Sequence, residues 1–504
     1  MKRIICLFLG LIMSGVILLM PRSFFVTWEI QATAAVTVLM IIWWITEAIP
    51  IPATALIPLV GFPLFGVLAP AEASAPYADK TIFLFLGGFI IAAAMQKWNL
   101  HRRIALSIIL RTGSSPKRII LGFMIATAFI SLWISNTATA MMMIPIAIAI
   151  IGTLGFDTIR DSEKNYEQMD FARALVISIA YAASIGGIGT IIGSPPNGIV
   201  IAQIKTLFPQ APTIGFMDWM AFGIPLVAIF IPLTWLWLIN GPFRHLPNSL
   251  PHSMDVIRSE QAKLGPISPG ERWTLIVFLM TALMWIFSVT KKIGDITIPG
   301  LNMIVPGIDD STIAMFGAIL LFVLPVNLST REYTMDWETA VKIPWGILLL
   351  FGGGICLSKA FIKSGLANEL VHQLTALNTL NVLILIILVA ILVSLLTEVT
   401  SNTAIASVMM PILAVASVSL MINPVILMLT AGLTASLAFM FPVATPPNAV
   451  AYSTGYLTMK DMMKTGFFLN FMGVVLIIMF MYTIILWALG ISFDLPAWAV
   501  TPKV

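Results

Sequence analysis

Charged residues make up only 10% of this 504-residue chain, against 59% hydrophobic residues. Soluble domains carry roughly 25% charged residues, so the shortage excludes a water-soluble fold. Histidine and cysteine are scarce as well. His101, His245, His252 and His372 fall in or near loops or interfacial segments, and Cys6 and Cys356 sit in apolar runs with no metal-like spacing. An intramembrane enzyme would need ionisable or nucleophilic groups converging in its spans, and the sequence offers no such constellation. The cysteines carry no information about redox compartment. No basic stretch is interleaved with aromatics, so no nucleic-acid partner is expected. The formal charge of +4 is small for this length, and where the basic residues lie says more than their sum.

Uncharged apolar stretches of about 20 residues recur throughout, the length a helix needs to cross the hydrocarbon core of a bilayer. They predict an all-α polytopic membrane protein, with about eleven crossings plus two longer apolar segments that have polar centres. Ile4 to Met20, after Lys2 and Arg3, resembles a secretory signal, but no small-residue cleavage site follows and many more spans do. Residues 1–31 are therefore read as a retained first helix.

The sequence repeats itself. A shift of 266 positions lays Phe85, Gly87 and Gly88 on Phe351, Gly353 and Gly354, Lys97 on Lys363, and Pro145 on Pro411. The same shift lays Ser135-Asn136-Thr137 on Ser401-Asn402-Thr403. Farther along, Gly193-Ser194-Pro195-Pro196-Asn197 matches Ala444-Thr445-Pro446-Pro447-Asn448 at an offset of 251, the 15-residue difference being the charged insertion Phe156 to Asp170. Residues 32–241 form the first copy and 273–490 the second, with 491–504 as a C-terminal tail.

From the first glycine-containing helix, itself counted, to the start of its equivalent the chain makes five crossings, at about 81–97, 172–205, 218–240, 273–290 and 311–327. An odd number sets the copies in opposite orientations. Basic residues give an independent test. Gln96 to Arg118 carries Lys97, Arg102, Arg103, Arg111, Lys117 and Arg118 with no acid, whereas its partner, Ile362 to Ile384, carries only Lys363 beside Glu369. Since Lys and Arg concentrate on cytoplasmic loops, the first segment is expected in the cytoplasm and the second outside. Inverted repeats of this kind are a transporter architecture. The polar stretch Pro242 to Arg272 is then a cytoplasmic connector, with the N-terminus cytoplasmic and the C-terminus periplasmic or extracellular.

Ile119 to Leu154 runs 36 residues without a charge, too long for one span, with Ser-Asn-Thr at its middle. A bent hairpin over about 118–154 fits, and a second over about 380–420. Ser, Asn and Thr favour helix N-caps, so each tripeptide is expected to end one arm and cap the next, aiming N–H groups and a positive dipole end at an anion. The bland alternative is that these side chains glue packed helices. Two further helices, about 172–205 and 425–456, should break at their paired prolines. Broken backbone at membrane depth lines a cavity or is buried in protein. Its carbonyls suit a cation such as sodium, unless the prolines only kink a helix for packing.

At these residues the chain resembles the divalent anion/sodium symporter family over nearly its whole length. The resemblance is carried by Trp43-Trp44-Ile45-Thr46-Glu47-Ala48-Ile49-Pro50, the two Ser-Asn-Thr tripeptides and the Ser/Thr-Pro-Pro-Asn pair. It implies eleven transmembrane helices, two re-entrant hairpins, two amphipathic interfacial helices, a homodimer in the bacterial inner membrane, and elevator motion of a transport domain against a scaffold. It implies that substrate carboxylates are held by Ser135, Asn136, Thr137, Ser401, Asn402 and Thr403, with Thr445 and Pro446. It implies one sodium site at Ser131, Ser135, Asn136 and the Gly193 carbonyl, and another at Thr397, Asn402 and the Ala444 carbonyl. Ser131 and Ser135, like Thr397 and Ser401, lie four apart, neighbours on a helical turn.

The implied activity is sodium-coupled import of a C4 dicarboxylate such as succinate, malate or fumarate, with no organic cofactor. Sodium-independent exchange and sulfate or citrate carriage are the alternatives within the family. Ser194 stands where the second copy has Thr445, so the site is not strictly symmetric. Glu398, beside the second tripeptide, is open to a role in cation coupling or a structural hydrogen bond near the hairpin tip. Glu47, near a helix end, reads as structural, and Lys359 and Lys363 as snorkelling to the interface.

Overall fold

The computed structural model describes residues 2–21, 24–152, 166–250, 253–293, 296–374 and 381–500. In a bilayer each backbone polar group must be satisfied within the protein, which leaves helices as the spanning elements of such a chain. The fold is accordingly mostly helical. Among the described residues, seven stretches, such as Trp28–Thr46, Tyr166–Gly187 and Phe216–Asn240, are long and apolar enough to cross a membrane, and shorter apolar helices stand among them. The first helix, Lys2–Leu19, packs along Trp28–Thr46.

Both polar-centred segments are two-armed. Pro116–Ser131 and Asn136–Gly152 are joined by a four-residue turn, and so are Val382–Thr397 and Asn402–Ser419. Both proline-paired segments are broken. Tyr166–Gly187 resumes as Pro195–Leu207, and Pro424–Thr434 resumes as Pro446–Ser453, with prolines in the first turn, where their missing N–H costs nothing. The two unwound loops are braced alike. Asn197 Nδ2 donates to the carbonyls of Gly187 and Thr190 at 2.9 and 2.7 Å, and Asn448 Nδ2 to those of Ala438 and Phe441, both at 3.0 Å.

Helices carrying the equivalent glycines each admit a backbone from the other half of the chain. A β-carbon at Gly87 would stand 2.6 Å from the Ala314 carbonyl oxygen, and one at Gly353 would stand 2.9 Å from Ala55 Cα. Between them Phe85 meets Phe351 edge to face, with ring centroids 4.7 Å apart. Each of these helices turns into a shorter one, Leu100–Thr112 or Leu366–Leu374, through a left-handed residue, Asn99 (φ 55°) or Gly365 (φ 84°). Beside these elbows Lys97 pairs with Asp336 at 2.7 Å and Lys363 with Glu72 at 2.5 Å. Glu72 therefore receives Lys363, and also Lys359, which donates to its carbonyl at 3.4 Å. Lys363 thus ends on a carboxylate and Lys359 on a backbone oxygen.

Three features depart from the sequence expectation. Two small antiparallel ribbons interrupt the all-helical pattern, Lys291–Ile293 with Ile296–Ile298 and Pro325–Asn327 with Glu332–Tyr333. They are loop hairpins, held by local pairing that helical periodicity does not report. The polar connector contains the helix Ser253–Ala262, and around it Arg102 pairs with Glu260 and Arg103 with Glu271. The tail is tied down: Asn423 N donates to the Phe493 carbonyl at 2.9 Å and Leu495 N to that of Met421 at 3.2 Å. Most of the charged insertion, 156–165, and positions 501–504 lie outside the described residues.

Because overpacking a tight helix contact costs about 1–3 kcal/mol or more, Gly87→Leu and Gly353→Leu should each lower the thermal midpoint of the purified protein. Gly15→Ala, with nothing within 4 Å of the added carbon, should not. Unchanged melting of both leucine variants would contradict the packing described here.

Candidate functional site

Helix breaks bring distant polar residues to one place. The turns of the two hairpins and the resumptions of the two broken helices surround a cavity of about 740 Å³. Its wall contains Ser135, Asn136, Thr137, Ser401, Asn402, Thr403, Thr445 and Pro446, all eight positions implied for substrate. The wall also contains Ser194 and Pro195, the first-copy equivalents of Thr445 and Pro446. A neighbouring cavity of about 440 Å³ shares Ser135 and Thr137 and carries Gln96, Lys97 and Lys342 on its wall.

Second arms of the hairpins start at Asn136 and Asn402, so the first-turn N–H groups, which no helix can satisfy internally, lie at the cavity wall. Capping follows the expectation only in part. Ser135 Oγ accepts from Ala138 N at a long 3.4 Å, whereas the Ser401 side chain makes no cap hydrogen bond. The asparagines turn away from the cap instead, toward the preceding arm.

There two small oxygen-rich pockets form. Ser131 Oγ lies 2.7 Å from Asn136 Oδ1 and 2.7 Å from the Ala183 carbonyl. The same amide group also lies 3.3 Å from the Gly193 carbonyl and 3.0 Å from that of Ala183, and with its NH₂ on that side it donates to both. Hydroxyl, amide and carbonyl oxygens gathered this closely are of the kind a hard cation takes as ligands. In the second pocket Thr397 Oγ1 lies 2.6 Å from Asn402 Oδ1 and 2.9 Å from the Ala435 carbonyl. Ser131 and Thr397 are both fully buried. Of the other implied cation ligands, Ser135 and Ala444 line the main cavity. Ala183 and Ala435, whose carbonyls complete the pockets, carry no side-chain signal in the sequence.

Among the cavity's lining residues the only ionisable side chain is Glu47. The sequence pointed to a structural role for it, and it does cap a helix in the left-handed conformation, φ 48°. It also lies on the cavity wall, a position set by folding that its place in the sequence does not reveal. Glu398 lies at the second hairpin's turn, buried, and accepts from the backbone N–H groups of Phe439, Met440 and Phe441 at 2.8 to 3.2 Å and from Asn470 Nδ2 at 2.5 Å. Of the two readings open for it, the structural hydrogen bond is present.

Known proteins resemble this arrangement at two levels. In fold, Neisseria gonorrhoeae MtrF, from a class of antimetabolite efflux pumps, superposes with a TM-score of 0.58 at 11% identity, covering 90% of this chain and 95% of that one. The Alcanivorax borkumensis YdaH transporter gives 0.55 at 14% identity over 83% and 87%. In sequence, a Staphylococcus saprophyticus protein named sodium-dependent dicarboxylate transporter SdcS is 41% identical over 475 residues, 92% of this chain and 87% of that protein. A Staphylococcus aureus protein of the same name is 41% identical over 495 residues, 97% and 93% of the two chains. Residues 1–490 match the family model described as the sodium:sulfate symporter transmembrane region. With its two Ser-Asn-Thr tripeptides and its paired prolines gathered in one cavity and nearly its full length matched, the chain belongs to the divalent anion/sodium symporter family of membrane transporters.

Proposed function

We propose that this protein imports a small dicarboxylate, a C4 acid such as succinate, malate or fumarate, together with sodium. One observation carries the reading: a cavity rich in hydroxyls, amides and helix N-termini has no basic side chain on its wall, while buried hydroxyl–amide–carbonyl pockets adjoin it at Ser131 and Asn136 and at Thr397 and Asn402. Desolvating a dianion without a countercharge is costly, and sodium in the adjoining pockets supplies the countercharge. The staphylococcal relatives' name, sodium-dependent dicarboxylate transporter, supports the same coupling.

In this reading Ser135, Asn136, Thr137, Ser401, Asn402 and Thr403 hold the carboxylates, with Thr445 and Pro446 beside them. One sodium binds among Ser131, Ser135, Asn136 and the Gly193 carbonyl, the other among Thr397, Asn402 and the Ala444 carbonyl. The Asn136 amide presents its oxygen to the ion when sodium is bound. It turns its NH₂ to the same carbonyls when sodium leaves, which keeps the pocket satisfied in both states. The copies 32–241 and 273–490 are inverted repeats with eleven crossings in all, a reading supported by the paired close approaches at Gly87 and Gly353. The hairpins and broken helices then move as a transport domain past a scaffold in a homodimer of the inner membrane, N-terminus inside and C-terminus outside.

Two outcomes follow in proteoliposomes. Succinate affinity should rise with sodium concentration by roughly 5–150-fold, the span of a typical coupling free energy, and sodium affinity should rise equally with succinate; uptake indifferent to sodium would instead favour exchange. Asn136→Ala and Asn402→Ala should each abolish uptake at normal expression, and uptake retained by both would defeat the site assignment.

A further inference from the structure

Glu398 and its first-copy equivalent, Leu132, hold the same place by different chemistry. Each follows the pocket hydroxyl residue, Thr397 or Ser131, and each reaches the middle of the unwound loop of the neighbouring broken helix. Leu132 abuts Gly189, where a β-carbon would collide with its Cδ2. Glu398 instead accepts from Met440, which stands 251 positions from Gly189 just as Asn448 does from Asn197. The first loop is otherwise held by neutral groups: Thr190 Oγ1 donates to the Leu132 carbonyl, and Trp219 Nε1 donates to that of Ile188 at 2.9 Å. The second is gripped by one carboxylate through three successive N–H groups, with a fourth donor from Asn470.

Every partner of that carboxylate is a neutral donor, and among the described residues no Lys, Arg or His forms an ion pair with it. Glu398 is only 2% exposed. A buried carboxylate so placed lacks a countercharge, and its chain neighbour Thr397 belongs to the second oxygen-lined pocket. The loop it clamps, 439–441, runs on to Ala444 and Thr445 on the cavity wall.

We propose that Glu398 is the positioning residue and fixed countercharge of the second cation pocket, making the Thr397 pocket the tighter of two sodium pockets whose first member, beside Leu132, has no such charge. Sodium therefore fills the Thr397 pocket first, and its arrival neutralises Glu398 before the anion enters. The inference rests on the assignment of Thr397, Asn402 and Ala444 as cation ligands.

The test is sodium binding to the purified full-length protein without substrate, followed by radiotracer and by thermal shift against a choline background. Glu398→Gln should raise the sodium concentration at half-saturation by at least about tenfold, while succinate binding at saturating sodium stays within about twofold. Glu398→Asp, which keeps the charge, should recover most of the loss. A parental sodium titration in Glu398→Gln, or an equal loss of succinate affinity at saturating sodium, would overturn the proposal. If Glu398→Gln fails to fold, Thr397→Ala should remove the tighter sodium-binding phase and Ser131→Ala the weaker one; the reverse order overturns the inference just as firmly. Should Thr397→Ala leave sodium binding untouched, the cation-site assignment itself fails, whatever Glu398 does.

Discussion

Helix termini and unwound loops inside a bilayer must find partners within the protein, because no water is there to satisfy them, and this constraint organises the chain. Two hairpin turns and two helix breaks each leave backbone groups open. The fold gathers all four at one cavity and then braces each with side chains. Asn197 and Asn448 hold the unwound loops by their carbonyls. Leu132 and Glu398 hold the same loops at their centres by contact and by charge. In the proposed reading, the first N–H groups of the hairpins' second arms and the oxygens around Asn136 are the groups that an anion and a cation complete.

In the proposed reading, charge balance links the two ligands. The main cavity offers hydroxyls, amides and helix ends, and its one ionisable residue is an acid, Glu47. Such a site cannot retain a dianion on electrostatics of its own side chains. A cation placed a few ångströms away in the hydroxyl–amide pockets changes the sign of the local field, and in a low-dielectric setting that effect is large. In the proposed reading, coupling is a property of the site's composition rather than of a remote relay.

Much of this was legible from sequence because it depends on local chemistry. Paired prolines, mid-span Ser-Asn-Thr and charge-free runs too long for one helix mark breaks wherever the chain goes, and the equal offsets of Phe85, Gly87, Lys97 and Ser135 expose the repeat without a structure. The eight residues implied for substrate do share one wall. What was not legible depends on long-range approach. The Ala183 and Ala435 carbonyls become pocket oxygens only because Ser131 and Thr397 pack against them. Glu47 reads as a helix cap until folding carries it to the cavity, and the partners of Lys97 and Lys363 lie more than two hundred residues away. The short ribbons of 291–293 with 296–298 and 325–327 with 332–333 escaped because local strand pairing in a loop leaves no helical period to read.

The account stands on two hairpins entering the bilayer from opposite faces and meeting at one cavity. Single cysteines placed at Ser114 and Asn381, both exposed at the hairpin entries, in a background lacking Cys6 and Cys356, can be reacted with a membrane-impermeant thiol reagent in intact cells and in inside-out vesicles. Labelling of Asn381→Cys from outside and of Ser114→Cys only from the cytoplasmic face is the predicted result; labelling of both from the same face would contradict the arrangement on which everything else is built.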